Sequence, residues 1–249
     1  MRILCSNDDG YMALGLNVLA TAASELGAVT IVAPDREQSA TSHALTLHHP
    51  LRARRASDGA WVVDGTPTDC VILAVGELLD ERPDIVLSGI NHGPNMGEDV
   101  LYSGTVAAAM EATVLGIPAV ALSFTGYKPE ELEGWQPVIT DLLRRIVARD
   151  DFPEDTLLSV NLPDVAPGHV KGVRVTKLGK RRYKDSLTRA FDPSGKEYYW
   201  IGGGSTNWRG PDDSDFRAVA DGYISVTPLH LDLTSFSLLD RLRGWGLDP

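Results

Sequence analysis

The chain is poor in cysteine, short of cations and without a long uninterrupted apolar run, and each shortage excludes a class of protein. Only Cys5 and Cys70 occur in 249 residues, both inside apolar runs. That excludes a disulfide framework and suits buried, reduced thiols in a cytosolic protein. Lys plus Arg number 23 against 34 Asp plus Glu, a formal charge of −11. Affinity for a phosphate backbone is mostly cation supplied by the protein, so a nucleic-acid polymer is not the expected partner. A small anionic substrate remains open, provided a local counter-charge is present. The longest apolar-looking stretch, Gly104 to Phe124, carries Glu111 in its middle and Pro118 near its end. It reads as a core helix followed by a strand, not as a membrane span. The apolar run in Met1–Asn7 is too short for a signal-peptide core and is followed at once by two acids, so a soluble cytoplasmic protein is expected.

Three catalytic signatures are missing as well. A dinucleotide fold needs Gly-x-Gly-x-x-Gly straight after its first strand, where this chain has Asn7-Asp8-Asp9-Gly10-Tyr11-Met12. There is no Gly-Lys-Ser or Gly-Lys-Thr phosphate loop, and no Gly-x-Ser-x-Gly nucleophile elbow.

From Arg2 to about Asn161, short β-branched runs alternate with longer segments of helical period. Ile3–Ser6, Val29–Ala33, Ile85–Ser88, Ala119–Ser123 and Leu157–Val160 read as strands. Gly15–Leu26, Thr68–Leu79, Gly104–Leu115 and Trp135–Ala148 carry apolar residues at spacings of three and four, as helices covering a sheet do. The expected fold is α/β: a doubly wound, mostly parallel open sheet of Rossmann-like type. Leu51–Arg55 and Trp61–Asp64 flank Ser57-Asp58-Gly59 and read as a hairpin at a sheet edge.

After Pro163 the character changes. The basic run Gly179-Lys180-Arg181-Arg182 precedes Asp192-Pro193-Ser194-Gly195, which lies between Arg189-Ala190-Phe191 and Tyr198-Tyr199-Trp200-Ile201. This reads as a β-hairpin arm over about 180–203, ending in Gly202-Gly203-Gly204. Phe216–Ala220, a strand at Tyr223–Thr227 and a short helix near Ser235–Leu242 follow. One domain over 1–249 is expected, with its core in about 1–162 plus 205–233 and a C-terminal segment over about 234–249. The arm has too few apolar residues for a core of its own, so Tyr198, Tyr199 and Trp200 are expected to pack on a neighbouring subunit or back on their own domain.

Ligands of open α/β sheets bind beyond the carboxyl ends of the strands, where the strand order switches. The first strand ends in Ser6-Asn7-Asp8-Asp9-Gly10. Adjacent carboxylates beyond a buried strand repel unless a cation or a proton is shared, and two hard oxygen donors favour magnesium or manganese over zinc. A helix cap or a turn is the competing use of these aspartates. The second strand leads into a hydroxyl-rich loop, Gln38-Ser39-Ala40-Thr41-Ser42-His43, suited to giving a cation one neutral oxygen. The third leads into Gly89-Ile90-Asn91-His92-Gly93-Pro94-Asn95, and Ser103-Gly104-Thr105 opens an alanine-rich helix. A helix start with hydroxyls and free amides is an anion site. A carboxylate-bound cation beside a phosphate cradle fits hydrolysis of a phosphate ester. His43 and His92 fall in these loops as a possible acid or phosphate contact, and equally as structural loop histidines.

At this point the chain resembles the SurE survival-protein family of metal-dependent nucleotide phosphatases. The resemblance is carried by Ser6–Gly10, Ala13–Leu16, Ala33-Pro34, Gln38-Ser39, Ser42-His43 and Leu45-Thr46, by Val63–Pro67 and Asp69–Val71, and by Ser88–Asn91, Tyr102–Val106 and Ala109–Glu111. Asp192-Pro193, Tyr198–Trp200, Asp215, Gly222-Tyr223, Thr227–Leu229 and Asp232 continue it. It implies one divalent cation per subunit on Asp8, Asp9, Ser39 and Asn91, with phosphate contacts at Asn95, Ser103, Gly104 and Thr105. It also implies hydrolysis of nucleoside 5′- and 3′-monophosphates, and of short polyphosphate, by a dimer or tetramer joined through the arm and the C-terminal segment. Ala40 stands where the family usually has glycine, and Ala44 where it often has serine.

Asp8 and Asp9 are the expected catalytic residues, by orienting an attacking water or, on Asp8, by forming a phosphoaspartate. The competing readings are a phospho-receiver or nucleotide-sensing module without turnover, and a metal-binding protein whose task is assembly through the arm. A receiver requires a phosphorylatable aspartate ending the central strand, where this chain has Ser88-Gly89-Ile90-Asn91.

Overall fold

In a computed structural model, the alternation of β-branched and helical-period segments folds into one mixed nine-stranded sheet with two short two-stranded ladders beside it. Residues 1–126, 128–149, 151–183, 187–201 and 206–247 are described. The first half supplies strands β1 (Arg2–Ser6), β2 (Ala28–Pro34), β3 (Ala53–Arg55), β4 (Trp61–Val63), β5 (Ile85–His92) and β6 (Ala119–Phe124). The second half supplies β7 (Thr156–Leu162), β8 (Val173–Val175), β9 (Lys180–Tyr183), β10 (Leu187–Phe191), β11 (Glu197–Ile201), β12 (Thr206–Arg209) and β13 (Ile224–His230). The α-helices are α1 (Leu14–Ser24), α2 (Pro67–Leu73), α3 (Gly104–Val114), α4 (Gln136–Val147), α5 (Asp215–Ala220) and α6 (Phe236–Arg243).

The main sheet runs β3-β4-β2-β1-β5-β6-β7-β13-β8. Its central pairs, from β2 through β1, β5 and β6 to β7, are parallel, while β13 is antiparallel to β7 and β3 to β4. Successive residues of β1 feed opposite faces. Ile3 and Cys5 join Leu16 and Leu19 of α1 and Ile139 and Leu143 of α4, whereas Leu4 joins Cys70 of α2 and Ala109 of α3. This period of two, matched by a helix layer on each face, is the doubly wound architecture expected from the sequence. The chain order reverses between β1 and β5, so their carboxyl ends flank the crevice.

Local rules fix the helix starts. Thr66 and Asp69 form a reciprocal capping box with Pro67 in the first turn of α2. Ser103 caps α3, accepting the Val106 N–H at 3.1 Å. Nearly every α3 residue is buried, the polar Thr105, Glu111 and Thr113 among them, each with a hydrogen-bond partner.

Several boundaries differ from the sequence reading. The helix expected over Thr68–Leu79 ends at Leu73 and passes into a π-helical turn at Ala74–Leu78. The strand expected at Ile85–Ser88 runs on to His92, with a register shift between Ser88 and Asn91. Asn91 and His92 therefore sit on a strand end, not in a loop. Gly89 makes the shift possible. Its φ is +132°, and a Cβ there would collide with the Leu122 carbonyl of β6. The main sheet takes in Val173–Val175, outside the expected core ranges, because β8 pairs with β13. The arm runs on to Arg209: β9 pairs with β12 and β10 with β11, so residues 206–209 belong to the arm's base. Gly202-Gly203-Gly204 and the last two residues lie outside the described residues. Among the described residues no helix is long and apolar enough to cross a membrane. Both cysteines are free and buried, and burial alone pushes the Cys5 thiol up to about 12.

Candidate active site

Asp8 lies two residues beyond the end of β1 and is buried, 3% exposed. The N-terminus of α3 approaches it so closely that a Cβ on Gly104 would lie 2.8 Å from the Asp8 Cβ and 2.9 Å from its Oδ2. Glycine at 104 is therefore a packing requirement. The Thr105 hydroxyl donates to Asp8 Oδ1, and the Thr105 backbone N–H also favours the charged carboxylate. Burial outweighs both and pushes the Asp8 carboxyl up to about 6, with the neighbouring Asp9 charge adding to the rise. Asp9 is raised too, first by burial, against the opposing effects of the His92 side chain and of the His92 N–H, which donates to Asp9 Oδ2 at 3.2 Å. Two carboxyls held above their ordinary range side by side are poised to gain from a cation.

The remaining oxygens arrive from neighbouring segments. The backbone N–H of Gln38 donates to the Asp8 carbonyl at 2.7 Å, which brings the Ser39 loop against the end of β1. Ser39 Oγ donates to Glu37 Oε1 at 2.6 Å, leaving its lone pairs as an acceptor. Asn91 Nδ2 donates to the Gly93 carbonyl at 2.9 Å, which directs the amide oxygen away from that bond. Asp8, Ser39, Asn91, His92, Asn95 and Ser103 line one cavity of about 700 Å³ together with Asp99, Tyr102 and Arg181. The donor set fits a hard divalent cation: two carboxylates, plus two neutral oxygens that add ligation without further charge. Among the described residues no cluster of three or more His, Cys, Asp or Glu side chains offers an alternative.

Four of the expected site residues play other parts in the geometry. Asp9 reaches the site through His92. Thr105 is fully buried and its hydroxyl is engaged by Asp8. Gly104 backs onto Asp8, so the α3 start faces that carboxylate first. His43, expected as a possible acid or phosphate contact, turns to α3, where its Nε2 meets Glu111 Oε2 at 2.8 Å. A carboxylate as buried as Glu111 needs such a partner, and that requirement takes His43 out of the cavity lining.

Other residues, which the sequence reading does not assign to the site, complete it. Asn161, next to last in β7, accepts the Asn95 N–H at 2.9 Å and donates its Nδ2 to the Asn95 carbonyl at 3.0 Å. Ser123, next to last in β6, accepts from Asn95 Nδ2 at 2.9 Å. The clue the sequence offers is a small polar residue at or just before the ends of β1, β6 and β7, namely Ser6, Ser123 and Asn161. Arg181 enters from β9, pairs with Asp99 and lies 5.4 Å from the Trp208 ring centroid. Asp215 stitches the arm's base to the site by accepting from the N–H groups of Gly97 at 2.8 Å and Gly179 at 2.9 Å. Burial nonetheless keeps its carboxyl above the ordinary range.

A family model described as Survival protein SurE matches residues 3–185. Among curated relatives, the chain is 60% identical to a 5′-nucleotidase SurE of Gemmatimonas aurantiaca, with 100% of both chains covered. It is 49% identical to a 5′-nucleotidase SurE of Methylococcus capsulatus, covering 98% of this chain and 97% of the other. Among solved structures, the SurE protein from Aquifex aeolicus superposes with a TM-score of 0.88 at 43% identity, covering 99% of this chain and all of that one. Full-length likeness in sequence and in fold, on a chain whose paired aspartates close the switch-point crevice, places this protein in the SurE family.

Proposed function

We propose that this protein is a phosphomonoesterase that hydrolyses nucleoside 5′- and 3′-monophosphates, and short-chain polyphosphate, in the cytoplasm. One divalent cation per subunit, magnesium or manganese, would be held by Asp8, Asp9, Ser39 and Asn91. The observation that carries this reading is the raised, buried Asp8 carboxyl, with the raised, half-buried Asp9 carboxyl next to it, beside the neutral oxygens of Ser39 and Asn91 in a cavity of about 700 Å³ that Asp8 lines. The name 5′-nucleotidase given to relatives of full length supports it.

Lewis acidity toward a phosphoryl oxygen, and positive charge against a substrate dianion, are what a divalent cation supplies there when bound. The chain's own residues do the rest. Thr105 fixes the direction of Asp8, and the His92 N–H fixes Asp9. Asn95, held on both sides by Asn161 and Ser123, faces the phosphate together with Ser103 and the Gly104 backbone. Asp8 or Asp9 accepts a hydrogen bond from the attacking water and orients it in line. The water oxygen bonds to phosphorus and releases one proton, the ester P–O bond breaks, and the departing nucleoside oxygen ends with one proton in exchange, giving nucleoside and hydrogen phosphate.

Self-association into a dimer or tetramer belongs to this reading. Phe191, Tyr199 and Trp200 on the arm are exposed, as is every residue of α6, including Phe236 and Leu239. Apolar groups so displayed are what an interface covers. A monomer in sedimentation velocity at micromolar concentration would overturn this part.

The activity is tested by phosphate release from a panel of 5′- and 3′-monophosphates with magnesium, with manganese and with chelator, for the native chain and for Asp8→Asn. Release that needs the cation and disappears in Asp8→Asn is expected. A fully active Asp8→Asn protein refutes the reading.

A further inference from the structure

The groups that would handle phosphate and cation account for only part of the cavity. Its lining also includes Pro94 and Ile201, which offer nothing to a phosphate dianion or a cation, and Tyr102, whose ring is far larger than a hydroxyl contact to phosphate needs. Tyr102 is 59% exposed although it immediately precedes Ser103, whose side chain is buried at the α3 start. Its backbone is fixed at both ends: its N–H donates to the Asp99 carbonyl at 3.0 Å, and its carbonyl accepts from the Ser42 N–H at 3.1 Å. Within the described residues the ring has neither a hydrogen-bond nor a ring partner. By contrast, Trp208 is stacked on Phe216, with centroids 5.7 Å apart, and Phe124 packs edge-on to Trp135. An aromatic face carried on a rigid backbone, beside a polar phosphate pocket and with apolar Ile201 lining the same cavity, matches a substrate that is anionic at one end and flat and apolar at the other.

We propose that Tyr102 is the stacking platform for the nucleobase and sets the preference for nucleotides over simpler phosphate esters. The inference rests on the phosphomonoesterase reading and adds to it the part of the substrate that is recognised away from phosphorus. Stacking reads a π-face that every base has, so it selects for a base without choosing which one. Tyr102 is a specificity residue and takes no part in bond breaking.

The test compares AMP and CMP with ribose 5-phosphate, which keeps the sugar and the phosphate and lacks the base. Native chain, Tyr102→Phe and Tyr102→Ala are assayed for kcat and KM with a saturating divalent cation. Binding of AMP and ribose 5-phosphate is measured in parallel by calorimetry. Losing one base stack costs about 5- to 150-fold, the equivalent of about 1–3 kcal/mol. Tyr102→Ala is therefore expected to shrink the kcat/KM ratio of AMP or CMP to ribose 5-phosphate by that factor, mainly through KM, while Tyr102→Phe keeps the native ratio. The proposal is overturned if Tyr102→Ala leaves the ratio at its native value, including the case where both substrates lose equally. Absence of phosphate release by the native chain from any ester refutes the phosphatase reading instead. The calorimetric AMP to ribose 5-phosphate ratio then decides the stacking: a fall in Tyr102→Ala supports it, and an unaltered ratio overturns it.

Discussion

Replacing Asp8 by asparagine should make the cation-free protein more stable while it destroys turnover, and the size of the gain follows from where the carboxyl sits. Burial holds it at about 6 in the folded chain against an ordinary 3.8, a difference worth about 3 kcal/mol. Between about pH 4 and pH 6 the folded state keeps a proton that the unfolded chain has released. Stability therefore falls as pH rises through this window, and the loss is complete above it. Asparagine keeps the shape and an oxygen to accept from Thr105, and has nothing to ionise. The variant should match the native protein near pH 4 and exceed it by about 3 kcal/mol at pH 8, equivalent to about 6–12 °C in Tm for a chain of this size. Urea unfolding followed by tryptophan fluorescence, in chelator and at one protein concentration, measures this at both pH values. Adding a divalent cation should raise the native protein above the variant, because only the folded native site binds it tightly. A variant less stable than native at pH 8 in chelator, or a gain of equal size at pH 4, would show that Asp8 is not held as a costly buried charge.

Gly104→Ala pits the better helix former, worth about 1 kcal/mol, against a Cβ 2.8 Å from Asp8; thermal unfolding should show a net loss of about 1–3 kcal/mol, and phosphate release should collapse. His43→Ala leaves the Glu111 carboxylate without its partner at 2.8 Å. It should cost about 1–3 kcal/mol in urea unfolding with kcat within a few-fold of native, and a hundredfold fall in kcat would make His43 the acid after all. Asn161→Ala strands the Asn95 N–H and carbonyl at once, for an expected loss of about 2–5 kcal/mol by the same measurement and a larger KM for AMP. Ala40 adopts a left-handed φ of 59°, a conformation that costs an L-residue about 1–2 kcal/mol, so Ala40→Gly should raise stability by about 0.5–1 kcal/mol, after glycine's own entropic cost; a loss would mean that the Ser39 loop relies on the alanine side chain.

Much of the architecture was legible because it depends on short-range pattern. The short apolar run Ile3-Leu4-Cys5, alternating along the chain with the periods of three and four in Leu16-Leu19 and Ile139-Leu143, points to buried strands flanked by helices, whatever the loops do. The edge position of the Ala53–Arg55 and Trp61–Val63 pair was readable from Asp58-Gly59 for the same reason. Strand length at β5 was not. Its extension to His92 depends on Gly89 slipping past the Leu122 carbonyl on β6, a contact between residues far apart in the chain. The reach of the arm failed for a similar reason, since pairing of Thr206–Arg209 with Lys180–Tyr183 is set across the segment that separates them.

The site divides along the same line. Asp8 and Asp9 are adjacent in sequence, so their mutual repulsion, and hence the demand for a cation or a proton, can be argued from two letters. What Thr105, Asn161 and Arg181 do cannot, because each acts on a residue delivered by another element. Thr105 lies 97 positions from the Asp8 it orients, Asn161 lies 66 from Asn95 and Arg181 lies 82 from Asp99. The sequence reading gave Thr105 to phosphate because a hydroxyl at a helix start suits an anion. In the folded chain an anion is indeed there, and it is the protein's own carboxylate. That substitution has a chemical consequence. An α3 N-terminus spent on Asp8 offsets part of the cost of burying it and fixes its direction, but it leaves less positive potential for the substrate. In a protein with a net charge of −11, the counter-charge for a phosphate dianion must then come from elsewhere. Arg181 is held by Asp99, which leaves a cation on the aspartate pair as the fitting source.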